Sequence, residues 1–485
     1  MFGSSAKYRS ACCVRRSNSG SCSARNPKFV AACVVLPKTT PSCVGSCSWF
    51  DFTVPPRQDL SSDARCSTPL RRLAGKYPFV VGGEYGSDRK ASQVITRLTI
   101  RAFKSILEAD LELGQVNVFV GANGSGKSNL LEAPGVIGAC ANGRVDDESL
   151  LRRGVRPGPS NLFKSSFRND RSRNAIRLGA DGEGAEYSVE LLPPPPDKEQ
   201  AWQFKTESLA QGAERIVGRS PASTEALDPQ RGLAALRAVE LAPESPASLF
   251  LRELLDYAIY TPTTSVLRGL VQETQPRDPV GLSGGRLAEA VQQLDQLLPD
   301  GHDTVEEIFG LIEWADAYRT MEAGQGVPIS PSVPTARKVL CFEDRYMAEG
   351  RNLLTSYDAS EGALYVLFVA ALANLPNAPR IFAIDNFDHG LNPRLARALT
   401  EHFCRWILNA PKKRQVLLTS HNPLVLDGLP LEDDRVRLFT VGRTQRGLTN
   451  VRRIRLGLDE LQRNGEVWTV SRLWVNGHLG GVPDV

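Results

Sequence analysis

Nothing in this 485-residue chain approaches the run of about 18 apolar residues that a membrane-spanning helix needs, so no membrane span is expected. None of its ten cysteines forms the C-x-x-C spacing typical of zinc sites. A secretory leader is also missing: "FVAACVVLP" is the nearest apolar stretch, but it starts only at Phe29 and no clear cleavage site follows. No heptad pattern lasts beyond a few turns, which excludes a long coiled coil.

The cysteine and charge that are present are unevenly spread. Cys12, Cys13, Cys22, Cys33, Cys43, Cys47 and Cys66 lie in the first 66 residues, whereas Cys140, Cys341 and Cys404 stand alone. Isolated thiols fit a reducing, cytoplasmic setting. Residues 1–93 hold 14 Lys/Arg against 5 Asp/Glu, a net of +9, and the whole chain carries +4, which leaves −5 for the rest. A mildly acidic body gives no global argument for nucleic-acid binding, though a local basic groove stays open. The Ser-, Cys- and Arg-rich composition of residues 1–93 cannot build a core, so a disordered extension is expected. A targeting peptide and a small disulfide-bonded module are the alternatives.

Patterned sequence begins near Val94. "VITRLTIRAFKSI" alternates at Leu98, Ile100 and Ala102, as a half-buried strand does. "VNVFV", residues 116–120, reads as a buried strand, and "SNLLEA" as a helix that Pro134-Gly135 kinks or ends early. "NAIRLGA" and "AEYSVELL" flank the turn residues "DGEG" and predict a hairpin. From about 220 to 335 the pattern is helical. Residues 360–374 look like a buried helix. Strands are expected at 380–384, 415–419, "VRLFTVGR" and "TNVRRIRL". The last twenty residues carry no readable motif. Strands and helices alternating around a Gly-rich loop predict an α/β core interrupted by a helical insertion.

"GANGSGKS", Gly121, Ala122, Asn123, Gly124, Ser125, Gly126, Lys127 and Ser128, matches G-x-x-x-x-G-K-[ST] in full. Its backbone N–H groups can wrap a phosphate chain of ATP. Lys127 supplies a charge to the β- and γ-phosphates and Ser128 a hydroxyl to Mg²⁺. A strand before and a helix after give the loop the right context. Mg²⁺ needs a second protein partner at the end of a neighbouring apolar strand, and Asp385 in "RIFAIDNFDHGLNP" has that place. His421 in "LLTSHNP" follows another apolar strand and can reach the γ-phosphate or the attacking water. By itself it is a polar strand end.

Together these residues resemble the ATP-binding core of the ABC/SMC/RecF-like ATPases, in the branch grouped with AAA-type ATP-binding proteins. The resemblance runs from "LTIRAFKSI…VFVGANGSGKSNLLEA" to "AIDNFDHGLNP…LLTSHNP" and the following strand. It implies a P-loop NTPase head with lobes at 94–200 and 341–485 around a helical insertion at 201–340. It also implies a homodimer closing around two ATPs, each touched by a helix N-terminus of the other subunit. Lys104 and Ser105 match positions near nucleotide in the family. Two stretches could supply the trans helix N-terminus: "LSGGR" with Ser283, and "DASEGALYVLF" with Ser360 and Gly362. Ser360 lies 25 residues before Asp385 and Ser283 lies 102 before it. The family's spacing favours Ser360. Ser283 is then expected to be an ordinary helix N-cap.

One departure stands out. The family's catalytic glutamate is Asn386 here, and an amide cannot accept a proton from water. Asp388 could stand in if its loop turns it back. The expected activity is therefore tight ATP binding with slow hydrolysis, serving DNA maintenance or phage defence. Alternatives are an ATPase subunit partnering a separate nuclease, since only 64 residues follow His421, or a transport cassette.

Overall fold

Both faces of the strand following Gln115 are buried, Val116, Val118 and Val120 in one core and Phe119 in another. In a computed structural model, Val116–Val120 (β3) lies at the centre of a six-stranded sheet. The structure describes residues 94–167, 175–195, 201–220, 227–299, 301–323, 326–327, 337–456, 462–463 and 466–481. The expected disordered extension, 1–93, lies outside the described residues.

The first strand is shorter than the sequence suggested. Arg97–Phe103 (β1) turns at Lys104-Ser105 into Ile106–Glu112 (β2), so "VITRLTIRAFKSI" is the first arm of a hairpin. Ala102 and Lys104 have φ of 57° and 49°, the left-handed backbone that makes so tight a reversal. The hairpin predicted at 175–192 is present as Ile176–Asp181 (β4) and Ala185–Leu192 (β5). Residues 201–220, expected inside the helical insertion, form a second hairpin of Gln203–Gln211 (β6) and Glu214–Arg219 (β7). These strands complete an antiparallel sheet ordered β2-β1-β4-β5-β6-β7. A register shift opposite Glu190 and Leu191 breaks the alternation of β6, whose buried residues are Phe204, Glu207 and Leu209, and so concealed the strand.

The helix Lys127–Ala141 (α1) does not end at Pro134-Gly135 but continues for another two turns. Pro134 removes the donor to the Leu130 carbonyl. The buried Tyr257 hydroxyl donates to the adjacent Leu131 carbonyl at 2.7 Å. Close packing explains the two glycines that follow. A Cβ on Gly135 would lie 2.6 Å from Val155, and one on Gly138 only 2.4 Å from the Leu254 carbonyl oxygen. The helix is buried nearly all round, and that burial outweighs its poor propensity.

The middle of the chain is mainly helical, with Leu233–Ala238 (α2), Pro246–Leu255 (α3), Thr264–Leu267 (α4), Leu287–Leu297 (α5) and Asp303–Leu311 (α6). It also supplies Ala258–Tyr260 (β8) to the edge of the central sheet, and Ala315–Glu322 (β9) where the helical pattern ran on. β9 pairs with Lys338–Asp344 (β10), and β10 with Leu353–Thr355 (β11).

Glu361–Asn374 (α7) is the predicted buried helix, followed by Ile381–Ile384 (β12), Pro393–Asn409 (α8), Gln415–Ser420 (β13), Val436–Arg443 (β14) and Thr449–Ile454 (β15). The central sheet runs β15-β14-β3-β13-β12-β8, parallel throughout except for β15 at the edge. Phe119, Ile381, Ala383 and Leu417 face a core shared with α1, α3 and the antiparallel sheet. Val118, Phe382, Ile384 and Leu418 face a second core with α5, α6, α7 and α8. Because β3, β12 and β13 are parallel, the loops following them emerge on one edge, where open α/β sheets bind their ligands.

Candidate nucleotide site

Three loops meet at that edge: Gly121–Ser128 after β3, Asp385–Gly390 after β12, and His421 after β13. The phosphate loop needs glycine where it is tightest. Gly126 has φ +108°, and a Cβ there would lie 2.2 Å from Thr449 Oγ1 and 2.7 Å from Ser105 Oγ. A Cβ on Gly121 would lie 2.0 Å from the Val441 carbonyl oxygen.

Lys127 is only 5% exposed. Its Nζ donates to the Gly121 and Ala122 carbonyls at 2.8 and 3.0 Å and lies 3.3 Å from His421 Nδ1. Burial lowers its pKa to about 8, against the opposing pull of Asp385 and Asp388. His421 is also pushed down, first by burial and then by the Lys127 charge. A neutral ring whose Nδ1 accepts from Lys127 satisfies both groups.

Ser128 Oγ donates to Asp385 Oδ1 at 3.2 Å, although 257 residues separate them. The same carboxylate oxygen accepts from the Thr419 hydroxyl. The Asn386 N–H donates to that hydroxyl at 2.8 Å, and the Phe387 N–H to the Thr419 carbonyl at 2.8 Å. Asn386 itself sits at φ +58°. Asp388 accepts the His421 backbone N–H at 3.3 Å on each oxygen, so its carboxylate is held near that residue. Lys127, Ser128, Asp385, Asn386, Asp388 and His421 are thus brought together.

Ser360 and Gly362 stand apart from this cluster. The Ser360 side chain caps α7 by accepting from the Ala363 N–H at 3.3 Å. Glu361 accepts from Thr264 and lies 3.2 Å from His389, which ties the start of α7 to the loop after Asp385. Ser283 is not the helix cap expected of it. α5 starts only at Leu287, with Arg286 at its N-cap position and no side-chain cap. The Ser283 and Gly285 N–H groups instead hold the Glu273 carboxylate. "LSGGR" is therefore a loop closed around an internal carboxylate.

Lys104 is occupied by Glu132, which is 1% exposed and also accepts from Arg156 Nε at 2.7 Å. Ser105 lies beneath the phosphate loop, with its Oγ 2.7 Å from Thr449 Oγ1.

A family profile described as "AAA domain, putative AbiEii toxin, Type IV TA system" matches residues 297–427, which contain Ser360, Asp385 and His421. The DNA replication and repair protein RecF of Magnetococcus marinus is 44% identical over 64 residues, 13% of this chain and 17% of that protein. RecF of Renibacterium salmoninarum is 36% identical over 91 residues, 18% of this chain and 21% of that protein. These matches support an ABC/SMC/RecF-like P-loop ATPase. These alignments span well under two thirds of the curated relatives' own length. The SMC head domain from Thermotoga maritima is 12% identical and covers 75% of this chain and 99% of that chain, with a TM-score of 0.40. So low a score adds nothing to the strand order and site geometry above.

Several residues of this ATPase-branch site were not singled out from sequence. Thr419 stood inside the quoted "LLTSHNP", and only the sheet shows it bridging Asp385 and Asn386. Arg443, at the end of β14, donates to the Gly124 carbonyl at 2.6 Å. The unread C-terminal stretch also reaches the site. Helix Val470–Val475 is anchored by Ser471 on Asp427, seven residues after the turn that begins with Ser420. Beyond it the Gly481 carbonyl accepts the Ala122 N–H at 3.0 Å. Neither contact has a local sequence signal.

Proposed function

We propose that this chain binds MgATP, hydrolyses it slowly, and closes as a homodimer of heads around two nucleotides. The observation that carries the first step is Lys127. Among the described residues its ammonium hydrogen-bonds two carbonyls and a histidine ring and forms no direct ion pair, the Asp385 and Asp388 carboxylates acting on it only from a distance, and a polyphosphate entering the loop supplies the contacting anion. Ser128 and Asp385 offer two hard oxygens 3.2 Å apart, a donor set suited to Mg²⁺. Bound there, Mg²⁺ would neutralise charge developing on the β- and γ-phosphate oxygens. Thr419 holds the Asp385 carboxylate in place, and His421 is neutral beside the Lys127 ammonium.

Asn386 can position water but cannot take its proton. General-base help is worth about 10²–10⁴-fold, so its loss slows hydrolysis without ending it. Asp388 is the carboxylate in the same loop that can partly replace it. Ser360 and Gly362, at the N-terminus of α7, are assigned to the partner's γ-phosphate. The lobes at 94–200 and 341–485 and the insertion at 201–340 belong to this proposal, with the first lobe extended through the β6–β7 hairpin.

The relatives are named for DNA replication and repair and the family profile for a toxin, so the roles proposed are DNA maintenance or phage defence. A DNA or effector partner, a separate nuclease included, fits either. No helix among the described residues is long and apolar enough to cross a membrane. Titration calorimetry with MgATP tests the reading: wild type binds and Lys127→Ala does not. Equal affinity in the two would refute it.

A further inference from the structure

Tyr365 lies on α7, five residues beyond Ser360, and has no exposed surface. Its hydroxyl is a buried polar atom with no hydrogen-bond partner among the described residues. Leaving such a group unsatisfied costs about 1–3 kcal/mol. Packing does not explain the oxygen. The ring meets Phe368 at 6.1 Å and Phe387 at 6.4 Å between centroids, contacts that phenylalanine would make equally well.

Phe387 sits between Asn386 and Asp388, so Tyr365 packs directly on the loop carrying the reaction's carboxylates. Burial raises the Tyr365 pKa well above its ordinary value, and Asp388 and Asp385 raise it further. The group therefore stays protonated and remains a donor. Asp388 is under-used as an acceptor. Its oxygens receive the His421 N–H at 3.3 Å each, both near the limit, whereas an ionised carboxylate can accept about four hydrogen bonds. A donor without an acceptor thus packs against the loop that carries an acceptor with spare capacity, within its electrostatic reach.

We propose that the Tyr365 hydroxyl donates to the Asp388 carboxylate in the nucleotide-bound form and fixes its direction, which makes Tyr365 a positioning residue for hydrolysis. The inference rests on the reading that the chain binds MgATP and that Asp388 assists the reaction. A bond made only in the bound form favours that form, so it also strengthens nucleotide affinity.

The test is Tyr365→Phe in the full chain, with three readouts. Without nucleotide, the melting temperature stays the same or rises, because the variant sheds an unsatisfied hydroxyl. Affinity for MgATPγS falls about tenfold, as expected for a lost bond to a charged group. Single-turnover hydrolysis of ATP slows. In an Asp388→Ala background, which removes the acceptor, the same change has no further effect on either, since the pair is already broken. Unchanged MgATPγS affinity would overturn the proposal, as would a lower melting temperature as the sole effect. If the wild type binds MgATPγS but never hydrolyses ATP, the hydrolysis reading fails and the affinity arm still decides Tyr365. A wild type that binds no MgATPγS overturns both.

Discussion

Replacing Lys127 with methionine should make the nucleotide-free protein slightly more stable while it removes ATP binding. The ammonium is 5% exposed and its pKa falls from 10.5 to about 8. At about 1.4 kcal/mol per unit, holding that charge in the fold costs about 3 kcal/mol at neutral pH. Methionine fills similar volume without the charge. It also leaves the Gly121 and Ala122 carbonyls without their donor, which returns about 2 kcal/mol of the gain. The net expectation is a rise of about 1 kcal/mol in urea unfolding without ligand, with ATP affinity lost in calorimetry. The pH dependence follows with a defined sign. Between about pH 8 and 10.5 the unfolded chain holds a proton on Lys127 that the folded one has released, so Lys127's contribution to stability rises with pH across that window. ATP binding behaves oppositely. Nucleotide requires the charged form, so affinity is flat below about pH 8 and falls up to tenfold per unit above it. A variant less stable than wild type, or an affinity flat to pH 10, would refute the argument that Lys127 is a buried cation awaiting an anion.

Asn386→Glu should raise single-turnover hydrolysis by up to about 10²-fold. It should also cost about 1 kcal/mol in stability, because φ is +58° and asparagine tolerates that backbone better than glutamate. An unchanged rate, with hydrolysis abolished by Asp388→Asn, would show that Asp388 is already the base. Ser360→Arg should block ATP-dependent dimerisation in light scattering, whereas Ser283→Arg should leave it intact, and the reverse result would refute the assignment of α7. Removing residues 480–485 should weaken ATP binding several-fold by freeing the Ala122 N–H from Gly481, with little loss in melting temperature. Undiminished affinity would show that the C-terminal stretch plays no part in shaping the loop.

The sequence alone determined what is local. "GANGSGKS" is contiguous, so its chemistry and its strand–loop–helix setting were readable without a fold. Asp385 and His421 were readable because an apolar run ending in one polar residue marks the carboxyl end of a buried strand. Spacing favours Ser360 over Ser283, an assignment that the dimerisation variants test, whereas the N-cap expected of Ser283 failed because a carboxylate ten residues earlier in the chain captured its N–H. Helix α1 passed through Pro134 because burial on all sides outweighed propensity, and no local pattern reports burial on all sides. The β6–β7 hairpin hid behind polar residues for a related reason: Glu207 is buried, held by Tyr187 and the first N–H groups of α2. Only the tertiary structure decided which residues meet. Ser128 reaches Asp385 because β3, β13 and β12 are parallel neighbours, and strand order is set by packing across hundreds of residues. The unpaired hydroxyl of Tyr365 and the contact of Gly481 with the phosphate loop are of the same kind. A missing or distant partner leaves no trace in the residues beside it.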